Sequence, residues 1–229
     1  MSTTITWLGH SCFSIHVGKH NILVDPFLDD SPVAPIKAAD VEADFILLTH
    51  AHFDHIADAV SIATRTGAKV VANFEICEWL KVQGIAEENT VALNTGGAVQ
   101  LPFGQVKMTT ALHSSSLPDG TYGGVAGGYL LSTGKEKIYL AGDTALTLDM
   151  KLIGMGGLDL AVLPIGDQFT MGPDDSIEAV KMLNPQRVMP CHYNTWPPIF
   201  QDAAAWADRV QSHTAAEPIV LRSGEEFSF

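Results

Sequence analysis

The chain has 229 residues, of which 46% are hydrophobic and 17% are charged, which suffices for one sizeable core in one large or two small domains. Its formal net charge of −13 argues against general nucleic-acid binding, because an acidic surface repels phosphate backbones and the sequence has no run of Lys or Arg. No apolar run approaches the ~20 residues that span a bilayer, so we expect neither a nucleic-acid partner nor a membrane partner.

Cysteine usage and the amino-terminal sequence both indicate a cytoplasmic protein. The three cysteines, Cys12, Cys77 and Cys191, are odd in number and far apart, so they predict neither a disulfide framework nor a zinc ribbon. Such usage fits a reducing compartment. Residues 1–6 are polar and lack a charged segment followed by an apolar core, so we expect no signal peptide.

The first third of the chain predicts short strands and then a change to alternating helix and strand. Where apolar runs are separated by turn signals, we expect strands over residues 5–8, 12–17, 21–24 and 45–48. Residues 29–37 contain two prolines and predict an irregular loop. Helices are then expected over residues 56–66 and 74–82, each ended by a glycine.

The rest of the chain repeats this order. A β-rich stretch covers residues 91–141, and helices are then expected over residues 145–153, 176–183 and 203–210. Strands lie between these helices, and a last strand is expected over residues 219–221. No linker rich in Pro, Gly or Ser divides the chain. We therefore expect one domain over residues 1–229, with two sheets packed face to face and helices outside.

One segment, residues 50–55, is dense in metal-ligand side chains. It contains His50, His52, Asp54 and His55 directly after an apolar strand. If the backbone stays extended, His50 and His52 point to the same side, because side chains alternate along a strand. Imidazole nitrogens and carboxylate oxygens bind Zn²⁺ and similar cations. The alternative interpretation is a set of polar residues in a surface loop.

Three more candidate ligands each follow a predicted strand: His113, Asp143 and His192. In layered α/β proteins, side chains at strand ends point into a shared crevice. Taken alone, each has another interpretation: a loop cap for His113, a helix N-cap for Asp143 and a buried, hydrogen-bonded histidine for His192. Together with residues 50–55 they favour a metal site.

The chain resembles the metallo-β-lactamase superfamily over nearly its whole length, in the order and spacing of residues 50–55, His113, residues 142–144 and His192. More narrowly, it resembles the small metal-dependent hydrolases related to L-ascorbate-6-phosphate lactonase, in residues 7–11, 164–171 and 192–195. The resemblance implies an α/β fold, a four-layer αββα sandwich (the metallo-β-lactamase fold), with two metal ions at one edge of the sandwich.

The resemblance also implies how the ligands are shared between two divalent ions. One ion would be held by His50, His52 and His113, the other by Asp54, His55 and His192, and Asp143 would bridge them. Zn²⁺ is the first choice of metal. An Asp rather than a Cys at the bridging position leaves Mn²⁺ or Fe²⁺ as alternatives.

The ligand set and the resemblance predict a metal-dependent hydrolase of a small molecule. A metal-bridging hydroxide would attack a lactone, another ester, an amide or a phosphodiester, and the catalytic Asp54 would receive or orient the proton of the water. The alternatives are an RNA-processing nuclease of the same superfamily, which the acidic charge disfavours, and a di-iron redox protein on the same fold. The subunit number is open, and a homo-oligomer is one alternative.

Four further residues carry weaker predictions. His10 is expected to contact substrate near the metals, or else to lie in a surface turn. Asp167 is expected to orient a ligand histidine or to cap a loop, and Tyr193 to shape a substrate wall. Asp25, which precedes a proline, is interpreted either as a residue that orients a ligand histidine or as part of a turn.

Overall fold

The computed structural model describes residues 3–229; Met1 and Ser2, part of the polar start predicted over residues 1–6, lie outside the described residues. Contacts divide the chain into two compact units, each holding one seven-stranded sheet. The first unit contains the chain up to Gly97, Ser114–Ala126 and Leu221–Phe229, and the second contains Ala98–His113 and Gly127–Val220. That the two behave as one domain over residues 1–229 stays a prediction.

The sheet of the first unit mixes antiparallel and parallel strands. In chain order its first six strands are β1 (Thr3–Trp7), β2 (Phe13–Val17), β3 (His20–Val24), β4 (Phe45–Leu47), β5 (Lys69–Asn73) and β6 (Thr90–Leu93). Strands β1 to β3 pair antiparallel, β3 to β6 pair parallel, and the last strand of the chain, Glu226–Ser228, pairs with β1. All residues of β4 are buried, as is usual for a central strand of a parallel sheet.

Three α-helices accompany this sheet: α1 (Phe53–Ile56), α2 (Ala59–Thr66) and α3 (Phe74–Val82). The single helix predicted over residues 56–66 is wrong, because the chain breaks at Asp58. Its N–H donates to the Pro26 carbonyl at 3.1 Å, and its carboxylate accepts the Leu28 N–H at 2.6 Å. These bonds to the loop after β3 replace the helical pairing that an unbroken helix would need.

The ends of the other helical segments agree with the sequence. Gly67 ends α2 with a left-handed φ of 71°, as its position predicts. Helix α3 has the predicted bounds, and the Asn73 side chain accepts the Ile76 N–H at 2.8 Å as an N-cap. Apolar side chains of α2 and α3 enter the core of the first unit, with Ile62, Ala63, Ile76, Cys77 and Leu80 all buried.

The sheet of the second unit has the same mixed character. Its strands are β7 (Ala98–Leu101), β8 (Gly104–Thr110), β9 (Gly127–Ser132), β10 (Lys137–Leu140), β11 (Leu160–Pro164), β12 (Arg187–Cys191) and β13 (Glu217–Pro218). Strands β7 to β10 pair antiparallel and β10 to β13 pair parallel. The strand predicted over residues 219–221 is wrong, because the parallel pairing with β12 ends at Pro218.

Three α-helices belong to the second unit: α4 (Asp149–Gly154), α5 (Pro173–Leu183) and α6 (Ala203–His213). The helix predicted over residues 145–153 begins only at Asp149, and Ala145, which lies before it, donates its N–H to the Leu112 carbonyl at 3.2 Å. Helix α5 begins earlier than residue 176, with Pro173 in its first turn. Between residues 3 and 229, every helix is too short or too polar to span a bilayer.

Candidate metal centre

The histidines of residues 50–55 lie where β4 ends in the first unit. His50 Nε2 and His52 Nδ1 are 3.0 Å apart, so the two imidazoles lie on the same side, as the extended backbone predicts. His50 is buried and His52 is half-buried. A Ser114 hydroxyl lies 3.3 Å from His52 Nε2, which brings the segment Ser114–Ala126 against this motif.

Helix α1 carries the other two candidate metal ligands of residues 50–55. Asp54 and His55 occupy its single turn, and His55 Nε2 lies 3.9 Å from Asp54 Oδ2. The His50 and His55 rings are 4.1 Å apart between centroids. His10, Asp54 and His55 each offer a ligand atom within 4.8 Å of the others. We call His10, His50, His52, Asp54 and His55 the first cluster.

Asp25 fixes the orientation of one histidine of this cluster. Its Oδ2 lies 2.8 Å from His55 Nδ1, and Thr49 donates to the same carboxylate from its N–H at 2.8 Å and from its hydroxyl at 2.6 Å. Burial raises the pKa of the Asp25 carboxyl, while His55 and Thr49 act against that rise. Asp25 also has a left-handed φ of 43°, so it both orients a histidine and forms a turn.

The second unit brings together the remaining predicted ligands. Asp143 Oδ2 lies 2.9 Å from His192 Nε2 and 3.5 Å from His113 Nε2. Asp143 and His192 are each 2% exposed, so their charges and dipoles are little screened by water. One carboxylate oxygen of Asp143 thus lies near both imidazoles, and its predicted bridging role stays a prediction. We call His113, Asp143 and His192 the second cluster.

A turn after β10 places Asp143 beside His113. Gly142 adopts a left-handed φ of 62°, and the buried Thr144 hydroxyl accepts the N–H of Leu112 at 3.0 Å. Leu112 directly precedes His113, so this hydrogen bond joins the two ligand segments. The N-cap interpretation of Asp143 is wrong, because the next helix, α4, begins only at Asp149.

A glycine permits the position of His192 at the end of β12. A Cβ atom on Gly166 would lie 2.3 Å from the His192 carbonyl oxygen, which no real contact allows. His192 itself has a left-handed φ of 53°. Sequence reasoning missed both Gly166 and Thr144 as supports of the ligands, although each lies within a motif that carried the resemblance.

Of the residues with weaker predictions, His10 and Tyr193 are buried and Asp167 is exposed. His10 is fully buried, so the surface-turn interpretation is wrong, and its Nε2 lies 3.0 Å from Asp54 Oδ2. Asp167 is exposed in a turn closed by the Thr170 N–H on its carbonyl, and its role stays a prediction. Tyr193 is buried, which raises the pKa of its phenol to about 12.

The donors of both clusters fit a divalent transition metal. Each cluster combines imidazole nitrogens with carboxylate oxygens, the ligand types of Zn²⁺, Mn²⁺ and Fe²⁺ sites. The Asp25–His55 contact has the form of the carboxylate–histidine pairs that commonly orient metal ligands. These side chains are therefore suited to hold metal.

Known proteins resemble the chain over nearly its whole length. Residues 20–193 match the model of a family described as a β-lactamase superfamily domain. A UPF0173 metal-dependent hydrolase of Thermus thermophilus is 47% identical over 221 residues, which cover 96% of each chain. One from Symbiobacterium thermophilum is 43% identical over 228 residues, covering 98% of this chain and 99% of the relative.

A solved structure extends this likeness to three dimensions. Igni18, described as a novel metallo hydrolase from the hyperthermophilic archaeon Ignicoccus hospitalis, superposes with a TM-score of 0.90 at 34% sequence identity. The match covers 100% of this chain and 99% of Igni18.

Proposed function

The chain belongs to the β-lactamase superfamily, among its UPF0173 metal-dependent hydrolases, and we propose that it hydrolyses an uncharged carbonyl compound of small size. The observation that carries the proposal is the first cluster, which contains four imidazoles and one carboxylate, and in which Asp25 orients the imidazole of His55. The assignment of the predicted ligands to two ions is part of the proposal and rests on the order and spacing of the family motif.

Two divalent ions, with Zn²⁺ as first choice and Mn²⁺ or Fe²⁺ as alternatives, would be held by His50, His52, Asp54, His55, His113, Asp143 and His192. When bound, such ions polarise the reacting oxygen of a substrate and lower the pKa of a water molecule. The chain's own residues supply orientation and proton handling.

We assign to Asp54 the role of orienting the attacking water and receiving its proton. The Asp54 side chain is 12% exposed, so water can reach it, whereas the side chains of its neighbours His10 and His55 are fully buried. A carboxylate at this position accepts a hydrogen bond from an attacking water and thereby orients it. Asp25 and Thr49 keep His55 in place while the proton moves.

The distribution of positive charge favours a carbonyl substrate over a phosphodiester. Phosphoryl groups are usually bound by Arg or Lys. In the second unit, Lys137 and Arg187 begin β10 and β12, whereas Asp143 and His192 follow the opposite ends of these strands. Arg187 is also paired with Glu217 at 3.1 Å. Lactones, other esters and amides therefore fit the proposal better than phosphodiesters.

Exposed apolar side chains favour a substrate with an apolar part. Phe53, which lies between two first-cluster residues, is 60% exposed and packs edge-to-face on Phe27 at 5.8 Å. Tyr122, in the segment that contacts His52 through Ser114, is 65% exposed. Large apolar groups beside polar catalytic groups are typical of small-molecule sites.

A hydrolase panel tests the proposal. We expect the purified protein to cleave uncharged esters or lactones, to lose this activity with a chelator and to regain it with Zn²⁺ or Mn²⁺. A His52→Ala variant should lose most of the activity, and a His16→Ala variant, changed at an exposed histidine of β2, should keep it. Full hydrolysis by His52→Ala, or hydrolysis that a chelator does not affect, would refute the proposal.

A further inference from the structure

His10 lies at a turn that its neighbours hold firmly. It follows β1 with a left-handed φ of 52°, and the Trp7 indole N–H donates to its carbonyl at 3.0 Å. The Cys12 N–H donates to the Gly9 carbonyl at 2.9 Å and closes the turn. A non-glycine residue with this φ is uncommon, so the surrounding bonds maintain it.

The preceding glycine adds a second constraint on this turn. Gly9 has a φ of 93°, and a Cβ atom there would lie 3.0 Å from the Val33 carbonyl oxygen. The turn therefore fits closely against the loop after β3. Nothing in the proposed chemistry requires such a fixed turn at residues 7–11, so the fixed turn points to a role for the side chain it carries.

The His10 side chain points at the carboxylate of Asp54. Its Nε2 lies 3.0 Å from Asp54 Oδ2, and its ring packs edge-on against Phe27 at 5.8 Å and His55 at 5.6 Å between centroids. An ionised carboxylate only accepts hydrogen bonds, so the imidazole is the donor. Full burial of the ring leaves it few other orientations.

We propose that His10 is a positioning residue for Asp54: its Nε2–H bond to Oδ2 fixes the carboxylate in the orientation in which it binds metal. This inference rests on the proposed function, because it gives a role to a residue outside the ligand set of that site. It also explains why Trp7, Gly9 and His10 belong to one motif. Trp7 and Gly9 hold the backbone, and His10 holds the carboxylate.

Metal affinity, measured by titration of the full-length protein with Zn²⁺ against a competing chelator, tests this role. We compare wild type with His10→Ala, His10→Gln and the control His16→Ala. Loss of a residue that orients a metal ligand typically lowers metal affinity about 10- to 100-fold. We expect a loss of that size in His10→Ala, with the number of ions bound at saturation unchanged.

The glutamine variant separates positioning from ligation. Gln carries an amide N–H near the position of His Nε2, so it should restore affinity to within a few-fold of wild type. The result that overturns the inference is wild-type affinity in His10→Ala. Loss of a whole ion at saturation in His10→Ala and His10→Gln would overturn it too, because His10 would then be a ligand.

Two further outcomes complete the test. If His10→Ala fails to fold, His10→Gln alone decides, and a loss of 10-fold or more in that variant counts against positioning. If wild-type protein binds no metal, the proposed function fails instead. The two failures are therefore distinguishable.

Discussion

At the scale of single residues, the strongest feature is the support given to His55. Asp25 lies 2.8 Å from its Nδ1, and Thr49 donates twice to Asp25. This arrangement fixes which ring nitrogen of His55 can serve a metal, because the Nδ1 proton is held by the carboxylate.

Changing Asp25 to Asn should therefore weaken metal binding without removing a ligand. The amide is uncharged and presents one oxygen instead of two, so the contacts of His55 and Thr49 cannot all be kept. We expect Zn²⁺ affinity to fall about 10- to 100-fold. Asp30→Asn, the same change at an exposed aspartate, is the control and should bind like wild type. Equal affinity in Asp25→Asn would contradict this role.

The buried thiol of Cys77 should make the free energy of unfolding depend on pH in alkaline solution. Burial raises the pKa of Cys77 from 9.0 to about 11. The raised value means that the stability contribution of the neutral thiol is complete below pH 9 and is lost as pH rises toward 11, because the unfolded chain ionises first. The free energy of unfolding should fall more steeply in wild type than in Cys77→Ala, by about 1.4 kcal/mol per pH unit over that range.

Denaturant unfolding at pH 8, 9, 10 and 11 measures this difference in slope. The cavity left by Cys77→Ala lowers stability equally at every pH, so it does not alter the slope. Parallel curves for the two proteins would contradict the expectation.

At the scale of elements, the close approach of the chain segments that follow β11 and β12 depends on Gly166. A Cβ atom on Gly166 would lie 2.3 Å from the His192 carbonyl oxygen, so Gly166→Ala must displace the second-cluster histidine. We expect a loss of stability of about 1–3 kcal/mol, as for other overpacked sites, together with reduced metal content. Thermal unfolding and elemental analysis measure the two effects.

Gly156→Ala is the matched control for this change. Its added Cβ would meet only the flexible end of the Lys137 side chain, at 3.3 Å. That variant should keep its metal and most of its stability. If Gly166→Ala behaved in the same way, the close contact would have no functional consequence.

Much of the element pattern could be predicted because local signals agreed with the fold. Helix α3 matches its predicted bounds, since a cap and a glycine mark its ends. The His50–His52 contact is the one that an extended backbone would give, although β4 ends at Leu47, before either histidine. The break at Asp58 could not be predicted, because it depends on hydrogen bonds to Pro26 and Leu28, which are distant in sequence.

The supports of the candidate site were harder to predict than its ligands. The candidate ligands could be identified from the sequence by their residue types, histidine and aspartate, and by their spacing. The contributions of Thr144 and Gly166 depend on a hydrogen bond to Leu112 and on a close approach of the His192 backbone. Such contacts between segments leave no periodic trace in the sequence.

At the scale of the whole molecule, the predicted fold class is confirmed. The chain has two mixed sheets with helices, and its family membership and the match to Igni18 identify the metallo-β-lactamase fold. Metal-dependent hydrolysis is likewise the description shared by its relatives. Kinship to L-ascorbate-6-phosphate lactonase, a cytoplasmic location and the subunit number stay predictions.

The overall charge makes a prediction about RNA. With a formal net charge of −13, the protein should repel a phosphate backbone. We expect no retention of single-stranded or hairpin RNA in a filter-binding assay at low salt, where electrostatic binding is strongest. Salt-sensitive binding, followed by cleavage, would favour the RNA-processing alternative over a small-molecule hydrolase.

The most direct test of the central claim is the metal content of the purified protein, measured by elemental analysis after exposure to excess Zn²⁺ and gel filtration. We predict two ions per wild-type chain and fewer than one in Asp143→Ala, because the bridging carboxylate would serve both ions. A wild-type chain without metal, or an Asp143→Ala chain that keeps both ions, would contradict the proposal that the chain binds two ions with Asp143 as a shared ligand.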